Sequence, residues 1–170
     1  TLDYSVPFVK GLNAGAMYSY DYDNSDNRLS RKEYTLYEYD GASDTYQPYK
    51  AYSPSLIQRS YGKVERTLLQ LKLNYERTFN EDHNLKLMLG YNQESYHYES
   101  LWGKADDLID QQLPSLSLSS GTQYTDDEFK EYALRSGFFR FNYDFKGKYL
   151  LEVNGRYDGS SRFAKESRFG

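Results

Sequence analysis

Leu69-Gln70-Leu71-Lys72-Leu73-Asn74-Tyr75-Glu76, answered across a short polar stretch by Leu85-Lys86-Leu87-Met88-Leu89-Gly90-Tyr91-Asn92, decides the fold. In the first run every second residue is apolar, and Gln70, Lys72, Asn74 and Glu76 fall between. In the second run Leu85, Leu87, Leu89 and Tyr91 share one face. A period of two is the signature of a β-strand whose two faces meet different surroundings. The residues between the runs, Asn80-Glu81-Asp82-His83-Asn84, are turn formers or polar. Together they predict an antiparallel hairpin that carries one apolar face across its turn.

The same unit recurs on both sides. Downstream, Phe139, Phe141, Tyr143 and Phe145 alternate with Arg140, Asn142 and Asp144. After Lys146-Gly147-Lys148, the series Tyr149, Leu151, Val153 and Tyr157 alternates with Glu152, Asn154, Arg156 and Asp158. Upstream, Leu2, Tyr4 and Val6 lead into Pro7-Phe8-Val9-Lys10-Gly11. Leu12, Ala14, Ala16, Tyr18, Tyr20 and Tyr22 then follow on one face. The expected strands are about 12–23, 65–79, 85–100, 131–145 and 149–158.

Connections between these hairpins are of another kind. Residues 24–63 and 101–130 are polar and rich in Asp, Ser, Tyr and Gly. Short turns and long loops therefore alternate, which is how outer-membrane barrels sort periplasmic turns from extracellular loops. A soluble meander has no reason to do so, and long structureless loops are uncommon in compact domains. The first long loop is expected to hold its own hairpin, Tyr34–Asp40 against Thr45–Tyr49, around Gly41-Ala42-Ser43-Asp44. The predicted class is all-β: an antiparallel up-and-down meander forming an open segment of a large transmembrane β-barrel.

Composition agrees. The chain has 170 residues, of which 20 are Tyr and 9 Phe, against 1 Trp and 4 Pro. Aromatic side chains suit pleated sheets, and Tyr suits a boundary apolar on one side and wet on the other. No run of apolar residues is long enough for a transmembrane helix. The polar mean hydropathy does not argue against a barrel, whose strands alternate and whose loops are polar. Cysteine is absent, which excludes a disulfide scaffold and thiol chemistry. A net charge of -4 gives no reason to expect nucleic acid as a partner. Both ends interrupt a pattern, so the sequence reads as an internal piece of a larger chain.

Candidate sites are few. Asp21-Tyr22-Asp23-Asn24-Ser25-Asp26-Asn27 has alternate oxygen ligands but lacks the Gly and Glu that complete a calcium loop; a polar loop start is the expectation. His83 and His97 fall towards opposite ends of one strand and do not form a metal pair. Acid clusters at Asp106-Asp107 and Asp126-Asp127-Glu128 read as solvated charge, since a glycosidase pair needs a fixed separation and one raised pKa. No nucleophilic triad, phosphate loop or cofactor fingerprint is visible, so neither an enzyme nor a cofactor is expected. Tyr46, Tyr49, Tyr52, Tyr61, Trp102 and Tyr124 offer aromatic faces that stack on a ligand such as a sugar or pack the loops on each other.

The stretch Tyr149 to Phe163 carries a more specific signal. Its end, Arg156-Tyr157-Asp158-Gly159-Ser160-Ser161-Arg162-Phe163, with Arg168-Phe169-Gly170 shortly after, resembles a landmark of SusC/RagA-type TonB-linked outer-membrane proteins. The entry Val6-Pro7-Phe8-Val9-Lys10-Gly11-Leu12 resembles a periplasmic turn of that family. The resemblance implies a barrel of about twenty-two strands in the bacterial outer membrane, filled by a plug domain that this stretch does not include. It also implies import of oligosaccharides or peptides, with a SusD-like lipoprotein and TonB as partners through other parts of the protein. The alternative is a soluble, surface-exposed, glycan-binding β-sandwich. The two readings part at Leu69, Leu71 and Leu73, which a sandwich buries against a second sheet and an isolated barrel segment leaves exposed.

Overall fold

A computed structural model describes all 170 residues. Its strands are β1 (Leu2–Ser5), β2 (Leu12–Arg31), β3 (Tyr34–Asp40), β4 (Thr45–Tyr52), β5 (Leu56–Phe79), β6 (His83–Asp106), β7 (Gln123–Phe145) and β8 (Tyr149–Ser160). A single 3-10 turn, Lys165–Ser167, follows. One open antiparallel sheet has the order β1-β2-β5-β6-β7-β8, and β3-β4 form a separate two-stranded sheet. The five long strands are those expected, and the inserted hairpin is present.

Two features differ from the sequence reading. β1 adds a short sixth strand, with Leu2 opposite Ala16 and Tyr4 opposite Ala14. The strands also run well into the segments expected to be loops: β2 to Arg31, β5 from Leu56, β6 to Asp106 and β7 from Gln123. At these extensions neither face is consistently apolar, so alternation gives no signal while the backbone ladder continues. A strand of 24 residues such as β5 rises roughly 80 Å and is more than twice as long as the roughly 9–11 residues a bilayer requires. The Asp21–Asn27 stretch is extended strand rather than loop. Its same-side oxygens therefore stand about 7 Å apart along the strand and do not converge on one ion.

The chain divides into two compact units. The first comprises Thr1–Tyr22, Val64–His97 and Lys130–Gly170. Here the sheet is a single layer with sorted faces. Leu71 and Leu73 are 42% and 38% exposed, which excludes the sandwich expectation that they lie against a second sheet. Leu2, Tyr4, Tyr18, Tyr20, Leu89, Phe139, Leu151 and Val153 are exposed as well. Cross-strand contacts fix the registry of the faces. Tyr20 donates to Glu65 at 2.9 Å on the apolar side. On the other side Gln70 donates to Asn92 at 3.0 Å, and Lys86 pairs with Glu76 at 2.6 Å.

Short turns close this unit at one end. Lys146 and Gly147 both have positive φ, 58° and 66°, as the central residues of a type I′ turn require, and the Lys148 N–H donates to the Phe145 carbonyl at 3.0 Å. Asp144 Oδ1 accepts the Gly147 N–H at 2.8 Å. Gly11 (φ 89°) closes the first turn. Its carbonyl accepts the Glu76 N–H at 2.8 Å, and a Cβ there would overlap the Glu76 carbonyl oxygen. The turn-proximal part of the apolar face is aromatic. His83 Nδ1 meets the Tyr143 hydroxyl at 2.6 Å, its ring is 4.7 Å from Phe145, and Phe145 stacks on Tyr149. His83, expected in the turn, is the first residue of β6.

The second unit comprises Asp23–Lys63 and Tyr98–Phe129. It holds the one buried apolar cluster, Ile57, Ala105 and Leu108, with Leu116 packed against it. Buried Ser55 completes it: its hydroxyl accepts the Leu108 N–H at 2.9 Å, and its carbonyl accepts the Asp107 N–H at 2.8 Å. The segment after β6 folds back on itself through a Leu108–Ser119 bridge. It meets β2 where Arg28 donates to the Pro114 carbonyl at 2.5 Å and Gln111 accepts the Glu33 N–H at 2.9 Å.

Candidate functional site

Three sets of residues are candidates: the polar face of the first unit, the Arg156–Phe163 motif, and the aromatics of the second unit. The polar face is a set of cross-strand hydrogen bonds. Thr78 donates to Asn84 at 2.7 Å. Asn142 donates to Glu152, its directly opposed partner, at 2.6 Å. Lys72 and Asn74 are both exposed on this side. The arrangement satisfies polar side chains against one another and leaves hydrogen-bonding capacity toward water, which suits a wet surface rather than a packed core.

The motif is a structural corner. Arg156 Nε donates to both carboxylate oxygens of Asp158, at 2.7 and 2.9 Å, two residues along the same side of β8. Ser161 continues the ladder by a reciprocal pair: its N–H donates to the Ala133 carbonyl at 2.9 Å, and its hydroxyl accepts the Ala133 N–H at 2.8 Å. Gly159 opposes Phe169 in a bridge. A Cβ at Gly159 would occupy the space of the Phe169 ring, and that ring also stacks on Tyr157 at 5.7 Å. Arg162 lies 4.0 Å over the Tyr132 ring, Tyr132 stacks on Tyr96 at 4.9 Å, and Arg66 lies 5.5 Å over Tyr96. Cation and ring faces attract through the ring quadrupole, so this four-member stack ties the segment after β8 to β7, β6 and β5. Sequence reasoning missed it because Arg66, Tyr96 and Tyr132 come together only once the strand registers are set.

The motif lines a hollow of about 460 Å³ with Leu68, Asn92, Glu94, Leu134 and the buried Ser136. Phe163 lines it as well, and its carbonyl accepts from Arg168 Nε at 3.3 Å.

Of the six aromatics singled out from sequence, only Tyr61 and Trp102 are brought together. They line a hollow of about 330 Å³ with Ser25, Asn27, Gln58, Ser60, Tyr98, Ser100 and Leu101, none of them charged. Tyr124 lies under Lys104 Nζ at 5.1 Å. Tyr46, Tyr49 and Tyr52 belong to the β3-β4 hairpin: Tyr46 packs on Tyr39 at 5.4 Å, Tyr52 on Tyr34 at 6.0 Å, and Tyr49 is 71% exposed.

Comparison with known proteins gives the context. No family model matches the chain. TonB-dependent receptor P3 of Formosa agariphila is 30% identical over 111 residues, 64% of this chain and 11% of that protein. TonB-dependent receptor P39 of the same organism is 29% identical over 109 residues, 57% of this chain and 10% of that protein. The chain thus spans about a tenth of the length of the curated relatives it matches. Among solved structures, the RagAB peptide transporter superposes with a TM-score of 0.81 at 21% identity, over 95% of this chain and 17% of that one. The RagAB peptide importer in its 'open-open' state gives 0.79 at 22% identity, with the same coverage. At that identity the likeness is one of fold. The open sheet with sorted faces, the sequence similarity to two receptors and the superposition agree on the fold: the chain is similar to a stretch of the β-barrel of TonB-dependent receptors.

Proposed function

We propose that this chain forms part of the wall of a TonB-dependent importer that carries a nutrient across the outer membrane. The observation that carries the reading is the sorting of faces in the first unit. Leu71, Leu89, Phe139 and Leu151 are exposed on one side, while the opposite side is laced by the Gln70–Asn92, Lys86–Glu76 and Asn142–Glu152 contacts. A large exposed apolar face on a single layer is explained by lipid as its solvent. The hydrogen-bonded face then lines the lumen.

In this reading the turns at Gly11, Asn80-Glu81 and Lys146-Gly147 face the periplasm, and residues 24–63 and 101–130 extend outward. Oligosaccharides or peptides are the proposed cargo, supported by the SusC/RagA-like motif and by the neutral, aromatic-lined hollow at Tyr61 and Trp102. A SusD-like lipoprotein and TonB are the partners implied by the resemblance, TonB through parts of the protein outside this stretch. The wall contributes shape and polarity rather than catalysis. Deletion of the full-length gene, followed by growth and uptake on single glycans and peptides, tests the reading. Loss of uptake of one substrate class, restored by the intact gene, is expected; unchanged uptake of every substrate contradicts it.

A further inference from the structure

On the apolar side of the first unit, the run of apolar side chains next to the turns stops at a similar distance on each strand. The first polar side chain beyond it is Thr67 on β5, Gln93 on β6 and Arg135 on β7. From Phe145 to Arg135 is ten residues of β7. That length rises about 34 Å, which at a barrel tilt of about 40° is roughly 26 Å of depth, close to the height of a barrel's apolar band. Arg135 therefore stands where hydrocarbon gives way to headgroups. It is on the apolar side by register: it shares a face of β7 with Gly137 and Phe139, and Phe139 covers Gly155, its opposed residue. Arg135 is exposed and takes part in no hydrogen bond, ion pair or ring contact. Small residues surround it. Gly159 opposes it on β8, Ala133 and Gly137 flank it along β7, and a Cβ on Gly137 would meet nothing within 4 Å. The next acid along this face of β7 is Glu131, about 13 Å along the strand. Lys72 and Arg140 are unpaired too, but they face the wet side, where water solvates them.

We infer that Arg135 holds the phosphate of a lipid headgroup on the outer wall, with the Tyr157–Phe169 ring pair beside it as a flank for the lipid's chain. A charge at the edge of hydrocarbon needs a counter-charge or water. A guanidinium fork matches phosphate oxygens with two parallel N–H bonds, and Gly137, Ala133 and Gly159 leave room for them. The rings supply the second half of the site. Tyr157 opposes Gly137 and stacks on Phe169 at 5.7 Å, and the two remain 59% and 52% exposed. Stacked rings at this level offer an apolar flank below the charge. A soluble anion would use the guanidinium alone; a phosphate-bearing lipid uses both. The inference rests on the barrel reading, and it names the lipid chemistry that the wall holds in the leaflet away from the short turns.

The test uses the full-length receptor, purified in detergent, stripped of lipid and titrated with dioleoyl phosphatidic acid or with dioleoylglycerol, which has the same chains and no phosphate. Native mass spectrometry counts the bound lipid. The parent should bind the phosphatidic acid and prefer it roughly tenfold. Arg135→Gln, neutral and of similar reach, should remove that preference, while Arg135→Lys should keep binding within about threefold. Gly137→Asp should give the same loss with Arg135 in place, because its carboxylate would take the guanidinium instead of the phosphate; it carries the test if Arg135→Gln does not fold. Arg140→Ala, which removes an unpaired cation from the wet side, should change nothing. Equal binding of the two lipids by the parent, or phosphatidic acid binding unchanged in both Arg135→Gln and Gly137→Asp, overturns the site. Displacement by excess inorganic phosphate overturns the lipid as occupant. Insertion separates this from the reading beneath it. A receptor that inserts into vesicles and shows heat-modifiable mobility, yet gives one of those results, keeps the barrel and loses the site. A receptor that never inserts loses the barrel reading itself, and the site with it.

Discussion

The two units of this chain are built from the same strands under opposite rules. In Thr1–Tyr22, Val64–His97 and Lys130–Gly170 the strands alternate, with Leu134, Phe138 and Leu150 as exceptions on the polar side, and they expose Leu71, Leu73, Leu89 and Leu151 and bury almost nothing. In Asp23–Lys63 and Tyr98–Phe129 the extensions of β2, β5, β6 and β7 have no consistently apolar face, and the one buried apolar cluster is a small core around Ile57, Ala105 and Leu108. Alternation therefore reports what each face of a strand touches, rather than whether a strand exists. Where lipid wets one face and water the other, the sequence must alternate; where water wets both, backbone pairing persists with no pattern to mark it.

The comparison can be broken most forcefully on the apolar face. Leu71→Arg would place a charge in hydrocarbon, at a cost of about 2–4 kcal/mol near the midplane, whereas Asn74→Arg would face water and polar groups at far less cost. Heat-modifiable mobility and surface abundance of the full-length variants should separate the two clearly. A misfolded Asn74→Arg beside a normal Leu71→Arg would mean the register is off by one residue. Equal tolerance would mean that these strands do not sit at bilayer depth.

The second unit should show the complementary weakness. Ile57 is 1% exposed, and truncation to Ala should cost about 2–3 kcal/mol of local stability through lost burial and the cavity left behind. Hydrogen exchange should accelerate at residues 55–57 and 106–121, with membrane insertion unchanged. Loss of insertion would mean that the unit does not stand on its own core.

Arg162→Ala sharpens the motif's role. Removing the guanidinium from the Tyr132–Tyr96 stack should cost about 1 kcal/mol. The effect should appear as faster exchange at Ser161 and Arg162, while the β7-β8 ladder stays intact. Arg162→Lys should recover part of it. No change in the alanine variant would show that the ladder through Ser161 and Ala133 suffices.

The smallest effect is electrostatic and confined to the β3-β4 hairpin. Asp40 is held below the ordinary carboxylate range by the hydroxyl of Ser43 and the N–H of Ala42. Its contribution is therefore present above the unfolded-state value and is lost as pH falls through the lowered one. Tyr39 is raised by its bond to Asp44, so its contribution is lost only as pH climbs through the raised value. Protection of the Ala42 amide, its exchange relative to the intrinsic rate, should fall on acidification in the parent, and that pH dependence should be lost in Asp40→Asn.

Legibility in the sequence followed the same division. The hairpin around Asn80-Glu81, the turn at Lys146-Gly147 and the inserted β3-β4 hairpin were readable because alternation and turn chemistry agreed there. The reach of β2 through Ser25-Asp26-Asn27-Arg28 and of β5 through Arg59-Ser60-Tyr61 was not, since neither face is apolar. The Ile57–Leu108 core was hidden for a different reason. Its members are about fifty residues apart, and only the adjacent pairs Leu56-Ile57 and Leu108-Ile109 hinted at it. The aromatic candidates were scattered by the same ignorance of register: Tyr49 falls on a bulge, and Tyr37 and Tyr39, which the pattern did not single out, share a face with Tyr46.

The central claim is that β5 carries lipid on one face over its turn-proximal half and water on both faces beyond it. The chain has no cysteine, so single cysteines from Gln58 to Thr78 in the full-length receptor, otherwise free of reactive thiols, can each carry a spin label in liposomes. Collision with oxygen, which concentrates in lipid, and with a water-soluble nickel chelate reads the surroundings of each site. The account predicts oxygen maxima at Leu69, Leu71 and Leu73, nickel maxima at Gln70, Lys72 and Asn74, and no oxygen maxima from Gln58 to Gly62. Nickel access at every position, or a period that persists unchanged to Gln58, would contradict it.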